Sequence, residues 1–198
     1  VRRSISLLGK EGVNALETLE AIRLRASYRG TYLDTPVPRE HLQAILEAGL
    51  AAPSGCNKQT TSLIAVDDPA LVKRLYAAIS PGETDYSHMV GATSPALVCV
   101  LTRRIIAYGD RTYFIHDYSA AIENMLLAIV ALGYQSCWVE GYVTDADRLG
   151  RVMADILGVP PEYELVCYLP VGVAAEPVRR ARKKPSGERA WFNGFGGD

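Results

Sequence analysis

The chain has 198 residues, 48% of them hydrophobic, with 21 basic residues against 22 acidic ones for a formal charge of −1. That length supports one domain with a sizeable core, and the apolar share excludes a disordered chain. The near-neutral balance gives no general attraction to nucleic acid or to an anionic membrane surface.

Reading from the N-terminus, VRRSISLLGK carries basic residues but lacks the apolar stretch of a secretion signal. Asn14 can cap a helix whose apolar residues Leu16, Leu19, Ile22 and Leu24 recur at helical spacing. Thr35-Pro-Val-Pro38 interrupts the chain, and Pro38 suits the first turn of a helix through Leu42, Ile45, Leu46 and Leu50. Pro53-Ser-Gly55 ends it. Ser62 to Val66 reads as a strand, and Asp68-Pro69 starts a helix to Ile79. Ser80 to Thr93 is a polar loop, and Ala96 to Leu101 is a continuous apolar run of strand length.

Asp117 opens the longest predicted helix, closed by Gly133, with Met125, Leu126, Leu127, Ile129 and Val130 as core. Its run from Met125 to Tyr134 is too short to span a bilayer. Ser136 to Val139 is a short strand, Asp145 to Leu157 a helix, and Glu164 to Leu169 the last strand. From Ala174 onward a basic tail follows that contains Trp191, Phe192 and Phe195. The pattern predicts one α/β or α+β domain over residues 1–198, with 1–13 as a leader and 174–198 as an extended tail. Cys56, Cys99, Cys137 and Cys167 form no C-x-x-C pair and read as reduced, buried thiols. His41, His88 and His116 are too scattered to suggest a metal site. A cytoplasmic protein is expected.

Two stretches carry candidate chemistry. In RLRASYRG, Arg25, Ser27 and Arg29 share a face if the chain is extended, and Arg25 and Arg29 share one if it is helical. Two guanidinium forks and a hydroxyl can then converge on a phosphate, although arginines at a helix C-terminus also complement its dipole. In APSGCNKQ, Pro53 and Gly55 shape a loop in which Ser54, Asn57 and Gln59 supply donors and acceptors. That loop suits a polyol or heterocycle, or an ordinary turn.

Taken together, RASYRGTYLDTPVPREHLQAILEAGLAAPSGCNKQ resembles the opening of the nitroreductase-like FMN-dependent oxidoreductases. Their pattern is R-R-S-x-R, then P-V-P, a helix, and A-P-S-x-x-N-x-Q. FIHDYSAAIENMLLAIVALGYQSCWVEGY is similar to the family's central helix and its G-S-C-W sequel. RVMADILGVPPEYELVCYLPVG and RKKPSGERAWF match its closing segments. The resemblance spans residues 20 to 195. It implies an α+β fold in which a central mixed β-sheet is flanked by helices. It also implies a homodimer holding two FMN, with the C-terminal tail wrapping the partner subunit.

By the same resemblance, Arg25, Ser27 and Arg29 hold the FMN phosphate, and Pro53, Ser54, Asn57 and Gln59 form the loop that contacts the flavin. Glu140 and Gly141 present backbone N–H groups to flavin N5 and O4, and Lys183 or Lys184 returns a cation to the phosphate. The implied reaction takes a hydride from transient NAD(P)H and passes electrons to a small-molecule acceptor such as a nitroaromatic or quinone, by a ping-pong mechanism. The hydride is carried by flavin N5, so no protein residue is assigned as catalytic and no metal is expected. Alternatives are a specialised relative (reductive dehalogenase-like or flavin-fragmenting) and a flavin-binding or sensing protein with little turnover. Ala26 departs from the family's second basic residue, and Thr60-Thr61 stand where many relatives have Pro-Trp. The basic run at 179–184 has no interleaved aromatics, so no nucleic acid is expected as a partner. Residues 103–116 lie where relatives carry a substrate lid; they read as a surface loop or that lid.

Overall fold

The central strand is apolar on both sides because both of its faces are covered. In the computed structural model, which describes residues 17–80, 82–140 and 149–197, β2 (Ala96–Thr102) is buried along its whole length. It pairs antiparallel with β1 (Thr61–Val66) on one side and β5 (Glu164–Val171) on the other. Side chains alternate across a strand. Leu97, Cys99 and Leu101 therefore enter one core, and Ala96, Val98 and Val100 enter the other. A bulge between Val100 and Leu101 shifts the β5 register, so Leu165 and Tyr168 both face the first core while Cys167, Leu169 and Val171 face the second.

The first core is closed by α3 (Pro69–Ala78) and α5 (Leu149–Ile156), through Val72, Leu75, Tyr76 and Met153. Asp68 caps α3 as expected, accepting from the Leu71 backbone N–H at 2.8 Å. The second core is closed by α2 (Arg39–Leu50) and α4 (Phe114–Ala131), with Ile45, Ile122, Met125 and Ile129 fully buried. The two helices cross closely at Gly49, where an added Cβ would lie 2.8 Å from Met125 Cγ. Asn124 Nδ2 seals the crossing by donating to the Ala48 carbonyl at 3.1 Å.

The sheet continues beyond its named strands. Val139 exchanges backbone hydrogen bonds with Tyr168, and Gln135 bridges to Gly172, so residues 135–139 run antiparallel beside β5. Ser27 then pairs with Ser136 in a parallel bridge, with the Tyr28 N–H donating to the Ser136 carbonyl at 2.8 Å. This bridge makes the otherwise antiparallel sheet mixed among the described residues. Residues 31–33 are covered in turn by the start of the tail, since Leu33 N–H bonds Val173 and Ala175 N–H bonds Thr31.

Three expectations change. The first helix is short, α1 (Thr18–Leu24), and its apolar spacing does not mark a core face: Ala21 is buried, whereas Leu19 and Ile22 are 62% and 50% exposed. Asn14 and Leu16 lie outside the described residues, as do residues 145–148 of the helix expected from Asp145. The 103–116 segment is not plain loop. It contains a hairpin, β3 (Ile106–Tyr108) with β4 (Arg111–Thr112), turning at Gly109 with φ +59°. The long helix begins at Phe114, so Asp117 lies inside its first turn and is not its cap.

Candidate functional site

The basic segment is extended, and that settles which of its residues can act together. Ala26 and Tyr28 point into the protein at 7% and 4% exposure, which leaves Arg25, Ser27 and Arg29 on the outward face. Tyr28 anchors the segment: its hydroxyl donates to the Thr31 carbonyl at 2.5 Å, and its ring meets Tyr32 edge-on at 5.1 Å. Arg23 is off this face and pairs with Glu20 at 3.6 Å in solvent.

Beneath the clamp lies Cys137. Burial pushes its thiol up, while Arg29, a hydrogen bond from Ser27, and Arg25 pull in the other direction. All three groups thus lie on the side of the segment that faces Cys137, closely enough to act on its thiol. Two guanidinium groups and a hydroxyl on one edge, Ser27 and Arg29 exposed and Arg25 largely covered, suit the charge and acceptor oxygens of a phosphate dianion. Arg25 is not idle without a ligand: its Nε lies 3.1 Å from Glu123 Oε1 on α4.

The second group of residues surrounds a tight loop. Gly55, Cys56 and Asn57 form a single turn of 3-10 helix, and Cys56, Asn57 and Gln59 all adopt positive φ, at 51°, 53° and 48°. Ser54 Oγ accepts the Gln59 N–H at 2.9 Å and closes the loop on itself. Pro53, Asn57 and Gln59 are exposed and Ser54 is half-buried. Gly55 must be glycine because Tyr113 lies against it; a Cβ there would sit 2.5 Å from Tyr113 Cδ2. Cys56 is exposed, contrary to the expectation that all four thiols are buried.

Glu140 sits at the end of the 135–139 segment, so one extended stretch leads from the arginine-bearing edge to it. Its Oε2 accepts from Trp138 Nε1 at 3.0 Å, and Trp138 meets Tyr118 edge-on. Burial and then the nearby Glu140 push the Tyr118 phenol up to about 12. Gly141 lies outside the described residues. Lys183 and Lys184 are exposed in the tail, beyond the part that pairs with residues 31–33. Among the described residues no group of three His, Cys, Asp or Glu side chains is placed to hold a metal ion, and no helix is long and apolar enough to cross a membrane.

Sequence reasoning missed Asp117, Glu123 and Trp138. Asp117 is 5% exposed and holds the 55–60 loop through both carboxylate oxygens. An acidic residue at the start of a strongly apolar helix was a visible signal, but capping accounted for it equally well.

The family model described as "Nitroreductase family" matches residues 22–89 and 82–173. A protein of Archaeoglobus fulgidus with the provisional name NADH dehydrogenase/NAD(P)H nitroreductase is 30% identical over 156 residues, covering 79% of this chain and 84% of its own length. The crystal structure of a nitroreductase with bound FMN from Bacteroides fragilis is 29% identical, with a TM-score of 0.67, covering 86% of this chain and 95% of that one. An FMN-dependent nitroreductase from Clostridium difficile is 26% identical with a TM-score of 0.70, covering 89% and 99%. With its fold, its motif order and the family model in agreement over most of its length, the chain belongs to the nitroreductase family.

Proposed function

We propose that this protein is an FMN-dependent oxidoreductase that takes a hydride from NAD(P)H and passes the electrons to a small-molecule acceptor, with nitroaromatics and quinones as test acceptors. The observation that carries this reading is the face shared by Arg25, Ser27 and Arg29 on an extended segment whose Ala26 and Tyr28 are buried. FMN is bound by the Bacteroides fragilis relative, and its terminal phosphate is a dianion of the kind this face suits. Bound FMN supplies the two-electron chemistry.

The chain's own groups bind and orient. Arg25, Ser27 and Arg29 hold the phosphate, with Lys183 or Lys184 as a further cation. Pro53, Ser54, Asn57 and Gln59 line the flavin, and Glu140 and Gly141 offer backbone N–H groups to the ring. Fixed donors of this kind stabilise charge without reorganising, so no protein nucleophile is required.

The reading includes a homodimer, and the way the two groups are mounted supports it. The clamp is tied to α4 through Glu123 and the loop through Asp117. These residues are six apart in sequence, which is about 120° around a helix. Clamp and loop are thus anchored on different faces of α4, and in this reading a second copy completes the site built from both. The tail, with Phe192 and Phe195 at 77% and 91% exposure, is the part proposed to wrap that copy. We place the enzyme in the cytoplasm, as a single nitroreductase-like domain.

The test is reconstitution with FMN followed by initial rates at varied NAD(P)H and acceptor. Binding of one FMN per chain and parallel double-reciprocal lines are expected. Failure to bind FMN contradicts the cofactor; intersecting lines contradict the alternating mechanism.

A further inference from the structure

The loop over residues 54–59 is held in a conformation it would not choose. Three of its residues, none of them glycine, have left-handed backbone, a conformation that asparagine tolerates but that Cys56 and Gln59 rarely adopt. Such a run persists only where its surroundings over-determine it. The Gly55 N–H donates to Asp117 Oδ1 at 2.8 Å, and the Thr60 hydroxyl donates to Oδ2 at 2.7 Å. One buried carboxylate thus grips the loop at both ends. Tyr113, whose carbonyl accepts the Asp117 N–H, covers Gly55 from the same helix turn.

A buried carboxylate is a costly way to hold a fold together, because its desolvation must be repaid by hydrogen bonds. Its value here is geometric. Both oxygens are committed, to donors five residues apart on the loop, and the carboxylate is carried by the first turn of the longest helix. The helix cannot shift without the loop, and the loop cannot relax without abandoning both bonds.

We propose that Asp117 is a positioning residue for the cofactor: its carboxylate, with Thr60, fixes the strained 54–59 loop in the shape that receives the flavin. This rests on the FMN reading for its consequence and on the ligand-free loop for its mechanism, so the two are measured separately. Residues Ser54, Asn57 and Gln59 then meet the ligand already ordered, and the ordering cost is not taken from binding.

The experiment compares wild type with Asp117→Asn, Thr60→Val and Thr60→Ser. Amide hydrogen exchange over residues 53–60 is followed in the FMN-free protein, and FMN is titrated by quenching of its fluorescence. Asn keeps the size of the side chain but removes its charge. Its oxygen accepts from one partner only and its amide can do no more than reverse the bond to the Thr60 hydroxyl, so the charge-assisted grip is lost. Valine keeps the shape of threonine without its hydroxyl. Both should speed exchange at Gly55 and weaken FMN by about tenfold or more, the scale of a lost charge-assisted hydrogen bond. Serine keeps the hydroxyl and should bind FMN as wild type does. A purely packing role for Thr60 gives the opposite order, with valine tolerated and serine defective, and overturns the proposal. So does unaltered exchange in Asp117→Asn, or faster exchange with FMN affinity unchanged. If Asp117→Asn does not fold, the Val and Ser pair still decides. If wild type binds no FMN, the cofactor reading fails, and the brace is then judged on exchange alone: the proposal's mechanism stands if Asn and Val loosen the loop and falls if they do not.

Discussion

Arg25 and Glu123 form an ion pair at 3.1 Å in which the guanidinium is largely covered and the carboxylate half-exposed. The pair orients Arg25 toward the face it shares with Ser27 and Arg29. It also places a negative charge beside the proposed phosphate position, which costs binding.

The clamp should therefore respond to substitution in a graded way. Arg25→Ala or Arg29→Ala should weaken FMN by about 1.5–3 kcal/mol, as for a lost hydrogen bond to a charged group, and Ser27→Ala by about 0.5–1.5 kcal/mol. Arg23→Ala should have no effect, because Arg23 pairs with Glu20 in solvent. Glu123→Gln should tighten FMN by up to ~1 kcal/mol, the range of an exposed ion pair. Fluorescence titration reads all five. Wild-type affinity in both the Arg25 and Arg29 variants would remove the phosphate assignment.

Gly55→Ala tests the approach of Tyr113. The new methyl group would lie 2.5–2.8 Å from Tyr113 Cδ2, Cβ and Cγ, and Cβ cannot swing away. Overpacking of this kind costs about 1–3 kcal/mol. A lower melting temperature and weaker FMN binding are expected, with part of both recovered in the Gly55→Ala, Tyr113→Gly double variant, which removes the opposing Cβ as well as the ring. Additive losses in that cycle would show that the two residues do not oppose each other.

Alkaline stability should report the buried thiols. Burial pushes the fully enclosed Cys99 from its ordinary value near 9 up to about 12, and it raises Cys167 and Cys137 as well. The unfolded chain releases these protons near pH 9 while the folded protein keeps them. Their contribution is thus complete below pH 9 and is lost as pH rises above it, for Cys99 over the range up to about 12. Cys99, fully enclosed, steepens the decline by about 1.4 kcal/mol per pH unit over that range. Calorimetry from pH 7.5 upward should show melting temperature falling from pH 9, with a shallower fall in Cys99→Ala. An unchanged slope in that variant would mean that Cys99 ionises freely in the folded state.

Removing residues 178–198 should weaken self-association. Trp191 and Phe195 rest against each other at 4.1 Å, yet Phe192 and Phe195 are almost fully exposed in one chain, as expected of groups awaiting a partner surface. Residues 173–176 stay in the truncated chain because they pair with 31–33 and Tyr28. Sedimentation velocity should find a dimer in the full chain and a weaker one after truncation. A full-length monomer contradicts the composite site.

What could be read from the sequence was local and strongly signalled. Pro38 and Asp68 mark helix starts through fixed φ and a side-chain cap, and the apolar run at 96–101 is of strand length. The outward set 25, 27 and 29 was one of two options, and the Ser27–Ser136 bridge selected it. Tertiary relations were not legible. Leu19 and Ile22 have helical spacing, but the face they form is left uncovered within this chain. The 106–112 hairpin has only one short turn signal and too few residues to show alternation. Asp117 looked like a cap because its two partners lie about sixty residues away in a different loop.

The central claim is that this fold holds FMN and reduces it with a nicotinamide. The most direct measurement is the visible absorbance of the FMN-reconstituted protein on adding NADH or NADPH without air. The flavin should bleach rapidly and regain its colour when a quinone or nitroaromatic is admitted. A protein that binds no FMN, or whose bound flavin keeps its colour with both nicotinamides, would contradict the account.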